Sequence, residues 1–177
     1  MILLLLAQFC HAQTYDKIGL LEKNVPVLSV ENITGFFRHR MEVNRNAYLK
    51  RFPINQYVDF VVNSQNIAWN WTQAEQHGKW IESAYLSAVQ SKDEELLAKA
   101  EAVLNRIIDS QEESGYVGAT AKSFRSLERL VRGMDAYELY FVFHAFITVY
   151  EETGDKKALT AAEKLADYFL QHFGPGK

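Results

Sequence analysis

The sequence contains one cysteine, Cys10, in 177 residues. Neither an internal disulfide nor a multi-cysteine zinc site can therefore form within it. Three prolines and nine glycines are too few for a collagen-like or low-complexity chain. Positive charge is not in excess. A formal net charge of −3 and an isoelectric point near 6.0 leave no basic face of the kind a nucleic-acid binder needs. No apolar run reaches the roughly 20 residues of a membrane span. The motifs HExxH, GxSxG, GxGxxG and the phosphate-binding loop are all missing, and no nucleophile stands beside a base. What is present, 48% hydrophobic and 23% charged residues, is ordinary for one globular domain.

The first nine residues are apolar except for Gln8 and are followed by Cys10-His11-Ala12. A short apolar run ending at a small residue predicts an export signal over residues 1–12, cut before Gln13. The alternative is a buried N-terminal strand. Gln8-Phe9 does not suit a lipoprotein acceptor at Cys10. The mature product is expected to be exported, periplasmic or extracellular, with no membrane anchor once the signal is removed. Asn32-Ile33-Thr34 and Asn70-Trp71-Thr72 match the glycosylation sequon. Residues 13–34, with Pro26 among β-branched neighbours, read as an extended lead-in.

An internal repeat predicts the architecture. Leu96, Leu97, Ala100, Val103, Leu104, Ile107 and Ile108 lie 62 positions before Ala158, Leu159, Ala162, Leu165, Ala166, Phe169 and Leu170, as Asp93 does before Asp155. Each set is one apolar stripe of a helix. Ser91 with Glu94 reads as a capping box for the first helix, and Asp155 as the cap of the second. Each helix follows another: Trp80, Ile81, Ala84, Tyr85 and Ala88 form a stripe before the first turn. Residues 139–150 are apolar nearly all round before the second, which predicts enclosure on all sides. Residues 36–52 and 57–66 read as two further helices around Pro53. The fold class is all-α: helical hairpins of an (α/α)6 toroid over residues 35–177. A plain bundle or open solenoid has the same periodicity. Six hairpins of this period need roughly twice the length, so the toroid is expected to be incomplete in this chain.

Register also picks out functional candidates. Glu82 and His144 are repeat-equivalent, again 62 apart. His144 shares a row with Tyr137, Tyr140, Phe141 and Thr148. Polar groups repeated on inner helices would line a central cavity; the plainer reading pairs Glu82 with Lys79 and leaves His144 as a core histidine. Trp69, Trp71, Trp80, Tyr85, Tyr116 and Tyr140 supply rings suited to sugar C–H faces and hydroxyls. Glu112 and Glu113, adjacent at a helix end, would diverge and cannot act as a hydrolytic pair. The basic residues Arg38, His39, Arg40, Arg45, Lys50 and Arg51 wrap around their helix instead of forming a phosphate-binding stripe.

Several segments, taken together, resemble one family. They are Gly35-Phe36-Phe37-Arg38-His39-Arg40 with Asn44-Arg45 and Tyr48-Leu49, and Gly78-Lys79-Trp80-Ile81-Glu82. They continue with Gln111-Glu112-Glu113-Ser114-Gly115-Tyr116-Val117-Gly118, Glu138-x-Tyr140 with His144, and Phe173-Gly174-Pro175-Gly176-Lys177. The ordered set resembles the bacterial β-L-arabinofuranosidase-like glycoside hydrolases of family 127, within the six-hairpin glycosidases. The resemblance implies an (α/α)6 barrel followed by β-rich domains, and retaining cleavage of a furanoside in an oligo- or polysaccharide substrate. It also implies a cysteine thiolate nucleophile held on zinc in the full-length protein. Those catalytic and metal residues fall in the part of the family chain beyond this sequence, so none is carried over and no cofactor is expected within it. What carries over is sugar-pocket lining: His144, Tyr137, Tyr140, Trp80 and Glu82. The family often has histidine where this sequence has Tyr137. Two other readings stand beside it, an unsaturated-uronide hydrolase of the same barrel type and a non-catalytic helical-hairpin binding module.

Overall fold

A computed structural model describes residues 33–63, 73–132 and 134–174. The leader at 1–12, nearly all of the lead-in, Asn32 of the first sequon, the second sequon, Trp69 and Trp71 lie outside the described residues.

Helix α1 (Gly35–Val43) runs into a π-helical segment (Asn44–Leu49), followed by α2 (Ile54–Val62). Two long hairpins come next: α3 (Gln73–Ser91) with α4 (Glu94–Asp109), and α6 (Asp135–Thr153) with α7 (Lys156–His172). A 3-10 turn (Lys122–Phe124) and short α5 (Leu127–Arg132) connect them. No strand occurs among the described residues, and no described helix is long and apolar enough to cross a membrane. Helix α3 packs along α6, while α4 backs α3, α7 backs α6, and α2 fills the groove over α3 and α4. The chain is thus all-α, with paired helices in two layers.

The repeat extends into the turns. Asp93 caps α4 by accepting from the Leu96 N–H at 3.0 Å, and Asp155 caps α7 by accepting from the Lys157 N–H at 2.8 Å. Before each cap stands a left-handed residue, Lys92 (φ 56°) and Gly154 (φ 74°). The expected capping box does not form. Ser91 ends α3, and its hydroxyl donates to the Ser87 carbonyl at 2.6 Å, because Lys92 must turn the chain before α4 can begin. The buried stripe of α4 follows the periodicity, whereas that of α7 swings to Tyr168 at its end and leaves Leu170 65% exposed. Tyr168 is drawn in by the Tyr116 ring, 5.4 Å away in an edge contact.

Helix α6 is not enclosed on every side. Leu139, Val142, Ala145, Phe146 and Val149 are buried, but Tyr137, Tyr140 and His144 form an exposed flank, closed only at Thr148. Tyrosine and histidine carry a polar tip on an apolar body, so a flank of them tolerates water where aliphatic side chains would not. The two inner helices approach at Gly78, where an added Cβ would lie 2.5 Å from the Phe141 carbonyl carbon and 2.6 Å from its oxygen.

At the opposite end of α3, Asp93 also pairs with Arg45 at 3.2 Å and Lys50 at 2.9 Å, tying the π-helical segment to the α4 cap. Carbonyls left open by that segment are taken by Lys99, which donates to Lys50 at 2.8 Å and Phe52 at 3.2 Å. Burial opposes charge on Asp93, but the hydrogen bonds from Lys50 and the Leu96 N–H, with the Lys50 and Arg45 charges, hold it below its usual value.

Two expectations follow. Alanine is about 1 kcal/mol better than glycine in a helix interior, so Gly78→Ala would stabilise α3 were it free. Against the Phe141 backbone the same change is expected to destabilise by about 1–3 kcal/mol, read as a lowered midpoint in urea unfolding. Asp93→Asn keeps a capping oxygen and removes the ion pairs. Because the Asp93 value is depressed in the folded chain, the wild-type advantage should be full above about pH 4 and vanish as pH falls further, measured by unfolding both proteins across pH.

Candidate functional site

The exposed flank of α6 is built from its N-terminal half, and the loop before it sets where that half begins. Gln111 lies just beyond α4, and its side-chain N–H donates to the Gly115 and Ala161 carbonyls, both at 3.0 Å, linking the loop to α7. Gly115 is left-handed (φ 90°) and sits against the Lys164 carbonyl, where a side chain would collide with backbone. Tyr116 is thereby buried, and its hydroxyl accepts from the Thr120 N–H at 3.1 Å. The Thr120 hydroxyl donates to Asp135 at 2.7 Å, fixing the first residue of α6. Burial pushes the Tyr116 phenol up, so it stays protonated. Arg125 lies 3.5 Å from the centre of the Tyr116 ring and grips both oxygens of Glu112, at 2.7 and 2.8 Å. Those hydrogen bonds hold the Glu112 carboxyl below its usual range. Glu112 therefore braces the loop; it lies past the end of α4 at Asp109, not on a helix end.

On the face beyond the loop, α3 and α6 contribute alternate side chains. Glu82 meets His144: its Oε1 lies 3.0 Å from the imidazole Nδ1. The repeat-equivalent pair is thus a direct contact between the two helices. Lys79 does not pair with Glu82, being one turn back toward Glu75, which it meets at 3.1 Å. Its ammonium also lies 4.2 Å from the Phe141 ring centre and 5.6 Å from that of Tyr137. Burial works against the Lys79 charge, but Glu75 more than offsets it and the value is raised. The rings interlock: Tyr137 and Tyr140 each meet Phe141 edge-on, at 5.0 and 5.1 Å, and Tyr140 lies 5.8 Å from the His144 ring.

Four of the five lining candidates therefore share one surface: His144, Tyr137, Tyr140 and Glu82. Trp80 is placed elsewhere. It is buried, donates its indole N–H to the Leu49 carbonyl at 3.1 Å, and lies under the Lys99 ammonium at 5.2 Å, within the packing between α3, α4 and the π-helical segment. Tyr85 and Tyr116 are buried as well. Lys79, Glu75 and Phe141 join the face without having been singled out as lining. The spacing of Glu75, Lys79 and Glu82, one row of α3, is a signal that could have found the first two, and Phe141 lies in the His144 row of α6.

The face offers ring surfaces, hydroxyls, an imidazole and one ammonium. Among the described residues of α3 it offers no hydrolytic carboxylate pair. Glu75 and Glu82 stand about 10 Å apart along α3 by helix rise, against about 5 Å in retaining glycosidases, and each is already engaged. Among the described residues no three His, Cys, Asp or Glu side chains converge to hold a metal ion.

The sequence model of the β-L-arabinofuranosidase (glycoside hydrolase family 127) catalytic domain matches residues 22–177. The chain belongs to this family. It is 29% identical over 104 residues to the non-reducing end β-L-arabinofuranosidase of Bifidobacterium longum, covering 55% of this chain and 16% of that protein. Two solved structures share the fold. One is a family 127 β-L-arabinofuranosidase from Geobacillus stearothermophilus T6, with TM-score 0.68 and 20% identity over 82% of this chain and 26% of the other. The second, another family 127 β-arabinofuranosidase, has TM-score 0.64 and 22% identity over 86% of this chain and 27% of the other. The chain spans about a quarter or less of the relatives it matches. The all-α helical-hairpin fold of this family member is thus shared with those structures over about a quarter of their length.

The Gln-x-x-x-Gly-Tyr loop of this family member generates an expectation. Arg125→Lys retains charge but loses both the two-pronged grip on Glu112 and the stacking on Tyr116. It should lower stability by about 1–3 kcal/mol, seen as a lowered thermal midpoint.

Proposed function

We propose that this chain forms a sugar-facing wall of an exported glycoside hydrolase of the β-L-arabinofuranosidase type. Its substrate is a terminal arabinofuranosyl or related residue of an oligo- or polysaccharide. The observation that carries the reading is the exposed flank of Tyr137, Tyr140 and His144, with Glu82 and Lys79 beside it, in a chain matching the family from residue 22 to 177. A furanose presents C–H groups on one side and hydroxyls around its rim. Tyrosine rings cover the first and the tyrosine hydroxyls and imidazole bind the second. Lys79, held over two rings, adds a fixed positive charge where ring oxygens and hydroxyl dipoles can point.

The role of these residues is to bind and orient. A wall on two packed helices holds its groups more rigidly than a loop does, and orientation of a bound sugar is itself a large contribution to rate. Nucleophile and proton donor are assigned to the remainder of the family architecture, so the 177-residue polypeptide alone should release no sugar. Zinc, where the full-length protein carries it, would activate a thiolate there. Export is part of the proposal and rests on the apolar run and the small residue at Ala12.

The protein that carries this chain should release arabinose from an aryl β-L-arabinofuranoside. Its Tyr140→Ala variant should show KM raised about tenfold, equivalent to about 1.4 kcal/mol, with a smaller change in kcat. Turnover of unsaturated uronides and none of the furanoside would replace this reading. Mass spectrometry of the secreted product should find Gln13 at its N-terminus.

A further inference from the structure

We propose that Glu82 is a positioning residue that fixes the tautomer of His144, so that Nε2 of the neutral ring is a hydrogen-bond acceptor. The inference deepens the reading of this face as a sugar wall and rests on it for its consequence, though not for the tautomer itself. A carboxylate can only accept hydrogen bonds. With Glu82 Oε1 at 3.0 Å from His144 Nδ1, the carboxylate favours the neutral tautomer that carries its proton on Nδ1. Nε2, on the opposite edge of the ring, is then left with its lone pair. The His144 side chain is 48% exposed and that of Glu82 26%, so the contact is tucked in while the ring still reaches solvent. The Tyr140 ring, inclined 42° to the imidazole, limits its swing. The other charged groups nearby are occupied with each other, Lys79 with Glu75.

A free neutral histidine exchanges between two tautomers and can act as donor or acceptor through either nitrogen. Fixing one of them gives the wall a chemical preference: Nε2 takes a hydroxyl hydrogen and has none to give. Ligands with a hydroxyl at the facing position are bound, and those with an ether or hydrogen there leave the lone pair unmatched. The arrangement joins α3 to α6, so the preference depends on the packing of the two inner helices and not on either alone.

The test uses long-range proton–nitrogen NMR correlations of the His144 ring in the 177-residue chain at about pH 8, where histidine is ordinarily neutral. The expected pattern is a protonated Nδ1 and an unprotonated Nε2. In Glu82→Gln the amide can rotate to donate, and the ring should shift toward the Nε2-protonated form; in Glu82→Ala both forms should appear. A wild-type ring protonated mainly on Nε2, or one unchanged in Glu82→Gln, would overturn the proposal. Agreement of the Gln and Ala spectra elsewhere with wild type separates a tautomer change from unfolding. In the protein that carries this chain, Glu82→Gln should raise KM for the furanoside by about tenfold, with less effect on kcat. A shifted tautomer with unchanged KM would overturn the link to sugar, whereas an inactive wild-type protein would overturn the earlier reading and leave the tautomer result standing.

Discussion

The contact on which the rest depends is the backbone approach of α3 to α6 at Gly78. With no Cβ there, α3 lies against the Phe141 carbonyl, closer than side chains between two helices ordinarily allow. That closeness lets Lys79 sit over Phe141 and Glu82 reach His144, one turn further along each helix. Inner helices spaced by larger residues would part Glu82 from His144 and separate the rings from the ammonium. A single missing side chain thus sets the geometry of the whole face.

The two ends of the inner layer are held by different means. At the turn end, Asp93 both caps α4 and collects Arg45 and Lys50 from the π-helical segment. At the loop end, the chain between α4 and α6 is braced by one buried tyrosine with an arginine laid on it. Each device includes a carboxylate held below its usual range, Asp93 at one end and Glu112 at the other, so both weaken in acid; the loop end adds a buried phenol and a stacked guanidinium that keep their protons near neutrality.

Much of this was legible in the sequence because the repeat is regular in several independent features. Apolar stripes and the pair Asp93 and Asp155 recur at 62 positions, so a helix pair could be read with its partner as control. Register singled out Glu82 and His144 as equivalent positions, and the structure adds that they touch. Three readings do not match the structure. Trp80 stands both in the apolar stripe of α3 and among the lining candidates; the stripe decides, since the ring is buried and Leu49, 31 residues away, supplies its acceptor. The cap of α4 was misplaced because a lysine in a left-handed conformation carries no sequence signal. Residues 139–150 predicted complete enclosure because hydropathy counts a tyrosine ring as buried area and ignores its hydroxyl.

That last misreading bears on how such a wall can exist. A surface that binds a sugar must be apolar enough to cover C–H groups, yet stable in water before the sugar arrives. Aliphatic side chains meet the first demand and fail the second, since an exposed aliphatic patch invites association. Tyr137, Tyr140 and His144 meet both: they are exposed, and each ring lies against a neighbouring ring. The cost is that each polar atom can bind water in several orientations, which blurs recognition. Pairing His144 with a carboxylate from the neighbouring helix removes that freedom at one position, and Phe141 restrains the two tyrosine rings that flank it. Order in the wall therefore comes from contacts between its own members, built before any ligand is present.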